Sequence, residues 1–111
     1  MRVKPPEILS PASSSTPLNV LEYELMAERA DSLGRAGLKA EAALLRHREA
    51  APDLREDRLY EAADAVFALF IQREICGLRN GRDVIARYQI PGEVLARLGV
   101  KRPSPKASSD Q

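Results

Sequence analysis

The sequence predicts an all-α protein: a long antiparallel helical hairpin followed by two short C-terminal helices, with disordered N- and C-terminal tails. Apolar residues recur at three- and four-residue steps over two long stretches, which is the period of a helix. A proline followed by a capping pattern separates these stretches, and Gly and Pro interrupt the chain after residue 76. The chain has 111 residues, 44% of them hydrophobic and 30% charged, which fits one globular domain.

The two ends of the chain have few apolar residues that could anchor them. Residues 1–17 hold four prolines and a run of three serines, and residues 103–111 are also rich in Pro and Ser. Such segments cannot bury enough apolar area to offset the entropy that ordering costs. We therefore predict a disordered arm over 1–17, a single helical domain over 18–102 and a disordered tail over 103–111.

The first helix is expected to begin at Asn19, because Asn19 and Glu22 have the spacing of a capping box. Apolar positions then follow at helical spacing to about Arg48. Gly34 and Gly37 lie inside this helix, where each glycine costs about 1 kcal/mol relative to alanine. Either the helix breaks there or a neighbour packs very close, and we favour close packing.

The second helix is expected between Asp53 and Cys76. Pro52 ends the first helix, Asp53 and Glu56 repeat the capping-box spacing, and Gly77 ends the second helix. Large apolar side chains fill five of the six positions 66–71, which is too wide a surface for one narrow stripe. The first helix is expected to cover one flank of this apolar surface. The C-terminal segment or a second copy is expected to cover the other flank. The candidate interface residues are Val66, Phe67, Phe70 and Ile71.

A pair of charged residues on each long helix predicts how the hairpin is aligned. Glu74 lies four residues after Phe70 on the apolar stripe, where an unpaired charge would be costly. If the chain folds back at about residue 51, Glu28 lies near Arg73 and Arg29 near Glu74. We expect these crossed ion pairs to fix the register, with a ligand-binding role as the alternative.

The C-terminal segment predicts two short helices. Asn80 and Asp83 mark the start of the third, Pro91 suits the first turn of the fourth, and Gly99 ends it. The apolar spacing over 80–99 is also close to that of a helix-turn-helix.

The C-terminal part of the chain, which includes this segment, is basic. Residues 79–111 carry seven basic and three acidic residues, a net charge of +4. Nucleic-acid binding through 80–99 is therefore the alternative function that the sequence offers. The expected recognition helix, however, offers Glu93 and Arg97 and little else to contact bases.

The residues needed for catalysis or metal binding are scarce. A metal site needs several converging ligands, but the chain has one histidine, His47, and one cysteine, Cys76. His47 suits the dipole at the end of the first helix, and Cys76 is expected to be a buried apolar residue rather than a reactive thiol. No phosphate-binding loop or nucleophile motif is present. We expect no cofactor and no enzymatic activity, unless Arg73, Glu74 and Tyr88 line one pocket with Cys76.

The cellular setting follows from what the sequence lacks. The longest apolar run, 65–71, is far shorter than the roughly 20 residues that cross a bilayer. The first residues have a positive start but no apolar stretch behind it, and a single cysteine fits a reducing compartment. We expect a cytoplasmic protein with no membrane contact.

Four motifs resemble a family of small uncharacterised bacterial helical proteins, typical of proteobacteria. They are LEYE at 21–24, LGRAG at 33–37, QREICGLR at 72–79 and YQIP at 88–91. The resemblance spans about residues 18–100. It implies a bacterial, cytoplasmic origin and a domain of unknown function, and it carries over no catalytic or binding residue.

These observations favour an interaction or assembly module. A domain of about 85 residues has a thin core, or a core shared with a second copy. The wide apolar surface of the second helix and the overhang of the longer first helix predict contact with a partner, as in a coiled coil. The expected partner is a second copy in a homodimer, or another protein.

Overall fold

The computed structural model describes residues 17–103 and shows helices without any strand in that range. The helices are α1 (Pro17–Arg48), α2 (Arg55–Ile75), α3 (Gly81–Tyr88) and α4 (Gly92–Leu95), with a short 3₁₀ helix, Pro52–Leu54, between α1 and α2. This confirms the predicted all-α hairpin followed by two short helices. Of the predicted arm and tail, only residues 17 and 103 lie within the described range. The rest of both segments lies outside it.

α1 is already helical at the first described residue, Pro17, so Asn19 lies inside the helix instead of capping its start. The capping box predicted at Asn19 and Glu22 is therefore wrong.

The α1–α2 contact is built largely from alanine. Ala40 and Ala43 of α1 and Ala62 and Ala63 of α2 are all buried, and such small side chains let two helices approach to the lower end of the usual distance of about 8–10 Å. The larger buried residues are Leu44, Leu59, Val66, Leu69, Val84, Ile90 and Val94. The core is thin as a result, and each of its few branched side chains matters for the stability of the fold.

The connection between the long helices sets their register. Cys76 Sγ lies 3.6 Å from the carbonyl oxygen of Arg29, and Arg46 Nε lies 4.0 Å from Glu61 Oε1. Both pairs place the centre of the turn inside Pro52–Leu54 and not at residue 51. The 3₁₀ turn lengthens the connection, which shifts α2 along α1 relative to the predicted pairing.

The two ends of α2 are formed in different ways. Asp53 lies in the 3₁₀ helix, and the residue before α2 is Leu54, which makes no side-chain capping bond, so the predicted second capping box is wrong. Gly77 does end the helix, with a positive φ of 82°. The N–H of Gly77 donates to the Glu74 carbonyl and that of Leu78 to the Arg73 carbonyl, each at 2.9 Å. This is the hydrogen-bond pattern of a Schellman motif.

The two glycines of α1 have different surroundings. A Cβ on Gly37 would lie 2.9 Å from the Tyr88 hydroxyl, so close packing by α3 confirms the prediction there. A Cβ on Gly34 would meet nothing within 4 Å, and the residue is exposed. α1 continues through both positions. The close packing predicted at Gly34 is therefore wrong within one copy of the chain.

Gln89 ends α3 in a left-handed conformation, with φ 52°. For a residue with a Cβ this conformation costs about 1–2 kcal/mol, whereas glycine adopts it freely. We expect Gln89→Gly to raise the free energy of unfolding by about 0.5–1 kcal/mol, net of the entropy that glycine adds to the unfolded chain. Urea denaturation measures this change. A destabilised variant would mean that the Gln89 side chain contributes more than its backbone strain costs.

Candidate functional site

α1 extends well past the end of α2. The contact of Cys76 with Arg29 marks where α2 stops, so within the described range 17–103 no other helix lies beside residues 17–28, here called the overhang. Every residue of the overhang is exposed, and its large apolar side chains are 44–76% accessible. They are Leu18, Val20, Leu21, Tyr23, Leu25 and Met26. A helix that is apolar on most sides normally has neighbours on most sides.

The overhang is also acidic. It contains Glu22, Glu24 and Glu28 and no Lys, Arg or His, which gives it a net charge of −3. A segment of about 12 residues is marginal as an isolated helix in water, because helix nucleation is costly and tertiary packing normally supplies the stability. In the described part of the chain this segment is nevertheless helical and exposed along its whole length.

A groove of about 460 Å³ lies next to the overhang on the same molecule. Its lining combines apolar side chains with the charged residues Glu41, Arg73, Asp83 and Arg87. On α1 it runs over residues 30–41, and it is closed on the other side by Leu69 of α2 and by Val84 and Tyr88 of α3. The groove therefore lies where α1, α2 and α3 meet.

The structure divides the four predicted interface residues into two groups. Val66 is 0% exposed, so it belongs to the core and offers no surface, and Phe70 is half-buried against that core. Phe67 and Ile71 are 41% and 44% exposed. The second flank of α2 is covered by the C-terminal segment, where Val94 is buried and Gly99 approaches the Phe67 ring. Most of the apolar width of α2 is therefore explained within one chain.

The predicted crossed ion pairs are not formed. Glu28 Oε2 lies 4.0 Å from Arg35 on its own helix, and Arg73 Nη2 donates to the Asn80 carbonyl oxygen at 3.1 Å. Among residues 17–103, no ion pair joins Arg29 to Glu74. The shift of register caused by the 3₁₀ turn moves each predicted partner by most of a helical turn, so Arg29 meets Cys76 through its backbone instead.

His47 is the centre of a polar cluster that the sequence did not reveal. It lies in the last turn of α1, as predicted, but its side chain is only 2% exposed. Its Nε2 lies 3.3 Å from Glu93 Oε2, which is also 3.6 Å from Arg55 Nη2. Neither ring nitrogen of His47 has a hydrogen-bond partner among the described residues. The cluster joins the end of α1 to the start of α2 and to α4, which is a structural role.

The residues proposed for an enzymatic pocket do not all converge. Arg73 and Tyr88 line the groove, but Glu74 and Cys76 do not. Cys76 is partly exposed instead of buried. Within the described chain, no group of three or more His, Cys, Asp or Glu side chains is placed to hold a metal ion. Nor does any helix of that part have the length and apolar character needed to cross a bilayer.

Residues 80–99, where the sequence offered a helix-turn-helix as the alternative, form α3 and the short α4. α4, the expected recognition helix, has four residues and one polar side chain, Glu93. Glu93 contacts His47 and Arg55, while Arg97 donates to the Glu93 carbonyl at 3.0 Å and lies over the Tyr60 ring at 5.7 Å. A helix that reads bases needs free polar side chains along its exposed face.

Fold and surface together define a small helical-hairpin protein with an exposed apolar helix end beside a groove of mixed apolar and charged lining. The chain belongs to the Family of unknown function (DUF6665), whose sequence model matches residues 7–106. The resemblance found from the motifs is thereby confirmed at the level of a family without an assigned activity. No curated protein and no solved structure matches the chain.

Proposed function

We propose that this protein is a non-enzymatic assembly module that forms a homodimer through the overhang of α1. The carrying observation is that residues 17–28 form a continuous helix whose six large apolar side chains are all exposed. Fully burying one leucine-sized side chain contributes about 1.5–3 kcal/mol, so covering even part of this surface supplies a substantial driving force for association.

A second copy is the occupant that the chain itself supports. The overhang is apolar and carries only acidic charges, and two of the four charged residues that line the groove, Arg73 and Arg87, are basic. Opposite charges across an interface favour encounter and fix orientation. We also propose that this assembly acts in the bacterial cytoplasm and without a cofactor, on the ground of the four sequence motifs and the single cysteine.

The test replaces Tyr23, Leu25 and Met26 together by Gln. Glutamine keeps the helix propensity and the charge of the overhang but removes apolar area from several of its faces. Size-exclusion chromatography with light scattering is expected to give a dimer for the unaltered chain at tens of micromolar and a monomer for the triple variant. The melting transition followed by circular dichroism at low concentration should be similar for both.

The matched control replaces three exposed apolar residues outside the overhang and the groove, Leu54, Leu78 and Val100, by Gln. This variant also removes three exposed apolar side chains and should stay dimeric. An unaltered chain that remains monomeric at about 100 μM would refute the proposed function. Loss of the dimer in both triple variants would show that the overhang has no special part in it.

A further inference from the structure

We propose that the groove binds a small zwitterion, an α-amino acid with a large apolar side chain, at the end where Tyr88 of α3 lies on α1. A second cavity of about 200 Å³ adjoins the groove there, and Glu41, Arg87 and Tyr88 line both spaces. Concave sites that combine apolar walls with a few polar groups are typical of small-molecule binding. The site does not depend on the proposed homodimer.

Tyr88 reaches this position because residue 37 is glycine. A Cβ on Gly37 would lie 2.9 Å from the Tyr88 hydroxyl, so a larger residue would displace the ring from α1. The side chain is half-buried, and a tyrosine hydroxyl in such a place normally has a hydrogen-bond partner. Among the described residues, however, the Tyr88 hydroxyl has none. It is therefore available to a ligand in either cavity.

Glu41 of α1 and Arg87 of α3 line the same space without pairing with each other. Neither forms an ion pair or a hydrogen bond within the described residues. The other two charged residues of the groove are already engaged, because Arg73 Nη2 donates to the Asn80 carbonyl oxygen and Asp83 accepts from Asn80 Nδ2. The groove therefore offers a ligand one charge of each sign.

One carboxylate and one guanidinium on facing helices select a ligand that has both an ammonium group and a carboxylate. The planar guanidinium of Arg87 can donate two parallel hydrogen bonds to a carboxylate, and the Glu41 carboxylate can accept from an ammonium group. Arg48 lines the second cavity, has no partner in the described chain and adds a second guanidinium for the carboxylate. An α-amino acid carries both of its charged groups on one carbon.

The apolar part of the groove accommodates the side chain of the ligand. Its apolar lining includes Leu33, Leu38, Leu69 and Val84. Gly34 leaves this wall open, because nothing lies within 4 Å of the place where its Cβ would be. Gln89, whose φ of 52° is strained for a residue with a Cβ, lines the second cavity, and such strain concentrates at binding sites. Apolar contact supplies affinity, and the charged groups select the head group.

Titration of the full chain with L-phenylalanine, followed by the amide signals in NMR, tests the proposal. Saturable shifts are expected at residues 37 and 88. Two analogues each lack one charge: 3-phenylpropanoate has no ammonium group, and phenethylamine has no carboxylate. Each should bind about tenfold or more weakly than L-phenylalanine, because one charged hydrogen-bonding group is lost. No saturable shift up to about 10 mM L-phenylalanine would overturn the proposal.

Two charge variants should affect the analogues in opposite ways. Arg87→Gln should weaken L-phenylalanine and 3-phenylpropanoate about tenfold or more and leave phenethylamine unchanged. Glu41→Gln should weaken L-phenylalanine and phenethylamine and leave 3-phenylpropanoate unchanged. Arg82→Gln, at an exposed position of α3 outside both cavities, is the matched control and should alter none of the three. Equal effects of the first two variants on all three compounds would contradict the assigned charges.

Gly34→Leu blocks the groove and leaves its charged groups in place. The leucine extends into open space and improves helix propensity, so the chain should keep its fold, which circular dichroism checks. Binding of L-phenylalanine should be lost. Ala42→Leu, on an exposed part of α1 outside both cavities, is the control and should bind normally. Normal binding by Gly34→Leu would show that the ligand lies elsewhere.

Light scattering on the same samples separates this site from the proposed function. A monomeric chain that binds L-phenylalanine with the expected pattern of charge variants supports the site and refutes the homodimer. A dimer that shows no saturable binding refutes the site and leaves the proposed function intact.

Discussion

Val66→Asp is expected to unfold the protein. Val66 is fully buried in the α1–α2 contact, and an aspartate there would place a carboxylate among apolar side chains without a partner. Burying an unpaired charge is one of the few single changes that costs more than about 4 kcal/mol. The free energy of unfolding of a small domain is only about 5–15 kcal/mol in total, and this domain has a thin core. Circular dichroism should show loss of the cooperative transition.

Ile71→Asp is the matched control on the same helix. Ile71 is 44% exposed, so its carboxylate can remain hydrated, and the free energy of unfolding should fall by no more than about 1 kcal/mol. The comparison separates the two groups into which the structure divides the predicted interface residues. Equal effects at both positions would contradict the placement of Val66 in the core.

The sequence predicted the helices well because helical period and chain-breaking residues are local properties. The hairpin, the end of α2 at Gly77 and the two short helices all follow from spacing and from Gly and Pro. The starts of the long helices were less accurate, since several residues near each start can act as caps. Asn19 lies inside α1, and the residue that precedes α2 is Leu54, one position after the predicted cap Asp53.

The pairing of side chains between helices was not predictable in the same way. It depends on the exact length of the connection, and the single 3₁₀ turn Pro52–Leu54 was enough to separate Arg29 from Glu74. The contact of His47 with Glu93 joins positions far apart in the chain, and no local pattern announces it. The overhang was foreseeable, because the first apolar stretch is longer than the second, but its near-complete exposure required the structure.

Leu44→Ala is expected to lower the free energy of unfolding by about 3 kcal/mol. Removing a fully buried leucine side chain loses its transfer energy and leaves a cavity, which together cost about 2–5 kcal/mol. Leu44 is 2% exposed and is among the largest fully buried side chains of the described chain. Its neighbours include many alanines, which have no side-chain freedom to move into the gap. Chemical denaturation followed by circular dichroism measures the change.

The adjacent residue provides the control for Leu44. Leu45 lies on the other side of α1 and is 45% exposed, so Leu45→Ala leaves no closed cavity and should change stability by less than about 1 kcal/mol. Leu45 also lies beyond the part of α1 assigned to the groove, so the dimer should survive this change. A small effect at Leu44 would mean that the hairpin is held mainly by the dimer and not by its own core. In that case the denaturation midpoint of the unaltered chain would rise with protein concentration, because dissociation would then accompany unfolding.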